Sequence, residues 1–499
     1  MMRFVVNKEE YDRLLEKFPA MKAAVEGGIK EGGNLFNSSE VIAEQNELRH
    51  FMQDLKDFVQ FTDTEEKKKP IIKEAVKSFT LEGQAENFDN IQPIFYDRSG
   101  MFWLWDSESC FWEMKDEVDV LNMIQENTGR DVISSKNRTE IINSLKQKGR
   151  LNIPKPINDK WIQFKDKIYD IESGENFPAT PEYFVTNPIP WEVSGNPETP
   201  TMDRIFKEWV GEEYVQTLYE ILAFCLIPDY PINRLFCFIG GGMNGKSCFL
   251  NLLKKFVGEK NVCSTELDTL ITSRFEVTRL HKKLVCLMGE TNFNEMNKTS
   301  IIKKLTGRDV VGFEYKNKTP FEDMNYAKII IATNNLPTTT DKTIGFYRRW
   351  MITDFPNQFN EKRNILSEIP EEEYNNLATN SVILLSSLLK KRAFTNEGTV
   401  EERMQRYEEK SNPFDKFWKD NVREDYDSFV TKSSFKKKLN EWCKENNFRD
   451  LSDQSITKKM KENNLELDSR SHIEWFGDGK IGKKLVRVWK GIKFYEGND

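Results

Sequence analysis

Histidine is nearly missing from this sequence, with three in 499 residues, and the seven cysteines (Cys110, Cys225, Cys237, Cys248, Cys263, Cys286, Cys443) include no CxxC pair. That scatter offers neither the paired thiols of a zinc site nor the dense framework of a disulfide-stapled domain. Several of them sit in apolar runs, where a free thiol behaves as a small hydrophobe. No apolar run approaches the roughly 20 residues of a membrane helix, so no membrane partner is expected. The start, MMRFVVNKEEYDRLL, carries charge where a secretory signal has a long apolar stretch, and the expected location is the cytoplasm. The net charge of −7 lacks the basic excess of a protein that coats nucleic acid, yet leaves room for a local basic channel. Repeats and low-complexity tracts are absent as well.

What remains is an ordinary globular composition, 38% hydrophobic and 31% charged, in a chain long enough for roughly two to four domains. Residues 1–85 carry helical spacing, as in Tyr11, Leu14, Leu15 and Phe18, and predict a helical N-terminal domain. Residues 86–200 read as a mixed α/β accessory domain. In it, FYDRSGMFWLWDSESCFWEM alternates around a Ser-Glu-Ser turn and predicts a hairpin. Its aromatics, Phe102, Trp103, Trp105, Phe111 and Trp112, have no basic rim, which favours packing on a small sheet over stacking on bases.

Residues 201–360 hold the chemistry. Arg234–Ile239 is a short, wholly apolar run that reads as a buried strand, and FIGGGMNGKS follows it directly. Gly240, Gly245, Lys246 and Ser247 fit the GxxxxGK[ST] pattern, and the helical run CFLNLLKKFVG comes next. Strand, glycine loop and helix in that order make a phosphate cradle. Gly240, Gly241, Gly242, Met243, Asn244, Gly245, Lys246, Ser247 and Cys248 are the expected nucleotide-binding residues. Lys246 would reach the β- and γ-phosphates of ATP and Ser247 would ligate Mg²⁺.

A second apolar run, Leu284–Met288, ends in Gly289 and Glu290. A carboxylate at such a strand tip can hold Mg²⁺ or its water and polarise the attacking water, so Glu290 is the candidate base and second metal ligand. In AKIIIATNNLP, Asn334 is placed to sense the γ-phosphate, whereas Asn335 fits a turn cap. DKTIGFYRRWMITDF then brings Arg348 and Arg349, either of which could serve a neighbouring subunit as an arginine finger; Arg349 is preferred because it directly precedes the next strand.

Taken together, GGGMNGKS, LMGET, KKLTGRDVVGFEYKNKTPF, IIIATNNLP and FYRRW resemble superfamily 3 helicases of the poxvirus-primase-like branch found in phages, plasmids and integrative elements. The resemblance spans roughly Ile94 to Phe355. It implies an α/β, AAA+-like P-loop core, a homo-oligomer of six subunits, and 3′-to-5′ travel on single-stranded DNA driven by ATP and Mg²⁺. Lys246, Ser247, Glu290, Asn334 and Arg349 fall on its Walker A, Walker B, sensor and finger positions. Where many members carry two Walker B acids, this chain has Gly289 and then Glu290. Within Lys303–Asp323 the resemblance implies a DNA-gripping hairpin, with Lys316 and Lys318 flanking a tip at Asn317 and following phosphates without reading sequence.

Residues 361–410 read as a helical lid and linker, with YEEKSNPFD as the linker itself. Residues 411–499 read as a winged-helix-like domain for duplex DNA at an origin. From Val430 onward 16 Lys and Arg stand against 11 Asp and Glu, reversing the sign of the chain. Helices over Ser433–Asn446 and Ser455–Glu462 precede strands that turn at FGDGKIG, and Lys458, Lys459 and Lys461 are expected to meet phosphates. This layout is similar to that of the replication initiators of staphylococcal pathogenicity islands. Two other readings fit a P-loop: a loader or switch ATPase that does not unwind, and a non-enzymatic DNA-binding scaffold.

Overall fold

The computed structural model describes residues 92–128, 135–289, 295–296, 298–359, 364–445, 448, 450–475 and 481–495. The helical domain expected over residues 1–85 lies outside the described residues, as do Glu290 and most of the FGDGKIG turn. The chain forms two compact units, Met1–Pro156 with Thr180–Phe184, and Ile157–Ala179 with Val185–Asp499.

In the first unit, β1 (Ile94–Tyr96), β2 (Phe102–Asp106) and β3 (Phe111–Lys115) make an antiparallel sheet, with Trp105 opposite Trp112. The hairpin expected from the alternating aromatics is β2–β3. Phe102, Trp103, Trp105, Phe111 and Trp112 are all buried, and Trp103 and Phe95 meet Phe184 edge-on at 5.0 and 5.5 Å. Their faces are used in packing. α1 (Glu117–Thr128) and α2 (Ser135–Leu151) supply Val120, Ile141, Ile142 and Leu145 to a core shared with Ile94, Phe102 and Leu104.

The second unit begins with an antiparallel sheet of β4 (Trp161–Phe164), β5 (Lys167–Asp170) and β6 (Asn176–Pro178). Ile162, Phe164 and Ile189 belong to one apolar core with Phe206 and Trp209 of α3 (Pro200–Val210) and Leu218 and Leu222 of α4 (Val215–Phe224). The packing therefore runs straight through the boundary expected at residue 200.

The central sheet is all parallel, in the order β15-β7-β13-β9-β8. Its strands are β7 (Leu235–Ile239), β8 (Val262–Ser264), β9 (Val285–Met288), β13 (Lys328–Thr333) and β15 (Trp350–Asp354). β7 and β13 are buried along their whole length, as apolar strands covered on both faces must be. α5 (Lys246–Val257) covers one face, packing Phe249, Leu252, Leu253 and Phe256 against Phe236 and Phe238. The other face joins Leu235, Cys237 and Ile329 to Leu267 and Leu270 of α6 (Leu267–Thr272).

Between β9 and β13 lie β10 (Glu295–Met296), α7 (Ser300–Leu305) and an antiparallel hairpin of β11 (Val310–Phe313) and β12 (Phe321–Met324). After β13 come β14 (Thr338–Thr339), paired with β10, and α8 (Ile344–Tyr347).

Two expectations for the following segment fail. α9 (Glu371–Lys391) puts Tyr374, Leu377, Ala378, Leu385 and Leu388 into the core that holds α3 and α4, so it is built into the second unit and is not a separate lid. YEEKSNPFD is not a linker either. α10 (Val400–Ser411) runs through it, Tyr407 is fully buried and donates its hydroxyl to the Pro337 carbonyl at 2.7 Å, and α11 (Pro413–Asn421) follows at once.

The last segment continues with β16 (Val422–Thr431), α12 (Lys432–Glu445), α13 (Asp453–Glu462), β17 (Leu467–Trp475) and β18 (Ile481–Phe494). Its antiparallel sheet, β16-β18-β17, shares a core of Phe414, Phe417, Phe435, Leu439, Ile456, Met460 and Trp489 with the helices. α12 and α13 occupy the two expected helical stretches; α11 and β16 were not expected. Among the described residues, no helix is long and apolar enough to cross a membrane.

Candidate functional site

Connections leave the central sheet in opposite directions from β7 and β13. The chain after β7 travels past β13 and β9 to the β8 edge, whereas the chain after β13 crosses β7 to reach β15. The carboxyl ends of β7 and β13 thus flank a switch point, where open parallel sheets place their ligand crevice. Gly240–Gly245 leaves β7 at that end, and Thr333–Asn335 leaves β13 beside it, with Thr333 paired to Ile239.

Two glycines make the loop possible. At Gly245, φ is +91° and an added Cβ would lie 2.4 Å from Trp209 Cδ1. At Gly240, an added Cβ would lie 1.9 Å from Asn244 Nδ2 and 2.5 Å from the Phe355 carbonyl oxygen. The loop is therefore pressed against α3 and the end of β15 with no space for a side chain. Asn244 holds it there by donating Nδ2 to the Phe355 carbonyl at 3.2 Å. Trp209 and Phe355, which seat the loop, carried no signal in the sequence.

Lys246 opens α5, and its amine donates to the carbonyls of Gly240 (2.6 Å) and Gly241 (3.0 Å), to Asn244 Oδ1 (3.0 Å) and to Asn334 Oδ1 (3.4 Å). The structure thus brings Lys246 and Asn334, distant in sequence, to one point. Gly242, Met243 and Ser247 are exposed, and Gly241 and Cys248 half-buried. The Ser247 hydroxyl stands at the first turn of a twelve-residue helix, where the dipole and open amides favour an anion. A loop of small residues, an amine and an exposed hydroxyl suit a phosphate with a hard cation beside it. Gly289 follows β9 on the same side of the sheet and is exposed. Asn335 takes part in a turn, its carbonyl accepting from the Thr333 hydroxyl at 2.9 Å.

The preference for Arg349 does not survive. Arg349 is 6% exposed and points inward: Nε donates to Thr306 Oγ1 at 2.8 Å, Nη2 to the Lys303 carbonyl at 3.1 Å, and Nη1 to the Gly345 carbonyl. Burial draws its pKa down. Preceding a central strand directly, it already lies inside the layered core, where it ties the end of α7 to α8. Arg348 is exposed.

The expected hairpin is β11–β12. Lys316 and Asn317 form its turn, Asn317 takes the left-handed φ of +61° that a tight tip requires, and the Lys318 amide donates to the Tyr315 carbonyl at 3.0 Å. Lys316 is exposed and Lys318 half-buried. On α13, Ile456 and Met460 face the core and Lys458 and Lys461 are exposed. Lys459 instead pairs with Glu462 at 3.3 Å and Asp415 at 3.8 Å, which spends much of its charge.

Residues 37–213 match the family described as D5 N terminal like, and residues 238–349 match a family of unknown function, DUF5906. A protein of Acanthamoeba polyphaga mimivirus named as a candidate helicase is 24% identical over 217 residues, which is 40% of this chain and 22% of that protein. The chain therefore spans about a fifth of that relative's length. Apo structures of the NrS-1 C-terminal region are similar at 13% identity: one covers 83% of this chain and 99% of its own, with a TM-score of 0.42, and another 80% and 96%, with a TM-score of 0.40.

Proposed function

We propose that this protein is an ATP-driven, ring-forming DNA helicase of the superfamily 3 kind that starts replication of a phage or mobile element. The observation that carries the reading is the meeting of Lys246 and Asn334 at the switch point between β7 and β13, where a glycine loop opens a helix. Bound there, ATP with Mg²⁺ supplies the phosphoanhydride whose hydrolysis drives movement. Lys246 would bind the outer phosphates, Ser247 and Glu290 would hold the metal, Glu290 would accept the proton of the attacking water, and Asn334 would orient that water. The matches to the D5 N terminal like family and to a viral protein named as a candidate helicase agree with this reading.

Geometry also argues for hydrolysis shared between copies. β15 runs parallel to β7, with Trp350 beside Leu235 and Asp354 beside Ile239, so Arg348 and the loop at Gly240 leave opposite ends of the sheet. At about 3.3 Å per residue the two are on the order of 20 Å apart. Arg348 can then reach a transferring phosphate only on a neighbouring copy, as an arginine finger in a ring does. The Lys316–Lys318 turn emerges at the Arg348 end and grips single-stranded DNA. Helix, strand, two helices and two strands at the C-terminus follow a winged-helix order, with α13 offering Lys458 and Lys461 to duplex phosphates. Hexameric stoichiometry and 3′-to-5′ travel belong to the same proposal.

Strand displacement from forked DNA with ATP, together with particle images, tests the reading. Expected are rings, unwinding, and hydrolysis stimulated by DNA. Lys246→Ala lowers hydrolysis by about 10²-fold or more, and Lys316→Ala with Lys318→Ala removes the stimulation. Hydrolysis without unwinding or oligomer would favour a loader or switch; no hydrolysis at all would favour a scaffold.

A further inference from the structure

An isolated two-stranded hairpin is marginal in water, so something must hold β11–β12 if its turn is to bear force. The short helical turn and bend before β9 grasp both strands. His281 is 8% exposed, with Nδ1 2.7 Å from the Tyr315 hydroxyl at the end of β11 and Nε2 3.2 Å from Asp323 Oδ2 on β12. Lys282 donates its amine to the same Asp323 oxygen at 2.8 Å. Thr278 brackets Glu314, accepting from its amide at 2.8 Å and donating to its carbonyl at 3.1 Å. The His281 ring lies 4.9 Å from Phe321 and 5.1 Å from Phe313, which stack on each other at 5.6 Å. Burial pushes the Asp323 carboxyl up, but the His281 and Lys282 contacts outweigh it and keep the group below the usual carboxylate range.

The chain runs from His281 directly into β9, whose far end reaches Gly289 at the nucleotide crevice. We propose that His281, Asp323 and Tyr315 are positioning residues that fix the Lys316–Lys318 turn to the root of β9, so that grip on a DNA strand depends on them while ATP chemistry at the opposite end of the sheet does not. The proposal rests on the helicase reading for the identity of what is gripped.

His281→Ala, Asp323→Asn and the milder Tyr315→Phe test it, with His281→Gln as the conservative variant that keeps a donor toward Asp323. Hydrolysis without DNA should keep its kcat and KM for ATP within about twofold. The concentration of single-stranded oligonucleotide giving half-maximal stimulation should rise about tenfold in His281→Ala and Asp323→Asn, the cost of a lost hydrogen bond to a charged group, and recover in part in His281→Gln. Amide exchange over Val310–Met324 should quicken while β13 keeps its protection. An unchanged half-maximal concentration overturns the proposal, and so does a parallel fall in DNA-free hydrolysis, which marks a role in the core alone. If the wild-type enzyme ignores DNA, the helicase reading fails instead, and unchanged amide exchange in the hairpin then overturns the clamp by itself.

Discussion

Lys328 is a charge-bearing side chain with no exposure, its amine donating to the Ile227 carbonyl and facing the Phe224 ring at 5.2 Å. Burial pushes its pKa down to about 7. Between that value and the ordinary lysine value near 10.4 the unfolded chain binds more protons than the folded one, so stability must rise with pH across this window. Denaturant titrations from pH 7 to 10 should show the slope, and Lys328→Met should abolish it. The same substitution should stabilise the fold by up to about 5 kcal/mol, less the cost of the Ile227 carbonyl left unpaired. Gly245→Ala should act in the opposite direction. With φ at +91° and Trp209 Cδ1 2.4 Å from the new carbon, nucleotide binding should be lost and the melting temperature lowered, as calorimetry would measure; unchanged binding of a fluorescent ATP analogue would contradict this. The sequence singled out Lys246 and Asn334 because their chemistry is written in their type and neighbours. It preferred Arg349 to Arg348, the one that folding turns inward, because the acceptors from α7 and α8 that hold it come near only in the folded chain.

At the scale of elements, legibility followed how each one buries itself. β7, β9 and β13 are short apolar runs bounded by polar turns, and a central parallel strand has no other way to appear. α10 was hidden. Its buried residues are Arg403, Tyr407 and Ser411, an i, i+4, i+8 stripe with helical spacing and almost no hydrophobicity. What stabilises it is local and long-range polar bonding: a capping box between Thr399 and Glu402, and ion pairs from Arg406 and Lys410 to Asp354 at 3.0 and 2.8 Å. Thr399→Ala should therefore cost about 1 kcal/mol of unfolding free energy, read by urea denaturation, with hydrolysis unaffected.

For the whole molecule, the testable issue is whether one active site needs two copies. Lys246→Ala and Arg348→Ala should each be inactive alone. If Arg348 acts on a neighbour's phosphate, a one-to-one mixture rebuilds intact interfaces at up to roughly a quarter of positions and regains hydrolysis, because a heterologous ring interface pairs different surfaces of adjacent copies. A mixture as inactive as its components would place the finger elsewhere.

The glycine-rich loop, the apolar strands that flank it and the two helices of the basic tail were legible in residue order alone. Each rests on local chemistry, glycine spacing, apolar runs and helical periodicity, whereas the hairpin with its tip at Asn317 was legible only through the family resemblance. Only folding settled that Trp209 and Phe355 seat the loop, that Arg349 is held inside the core, that residues 157–200 pack with the unit of the parallel sheet, and that Cys263 and Cys286 stand in register on β8 and β9. These outcomes depend on sheet order and on contacts between residues far apart in the chain, for which no local pattern exists.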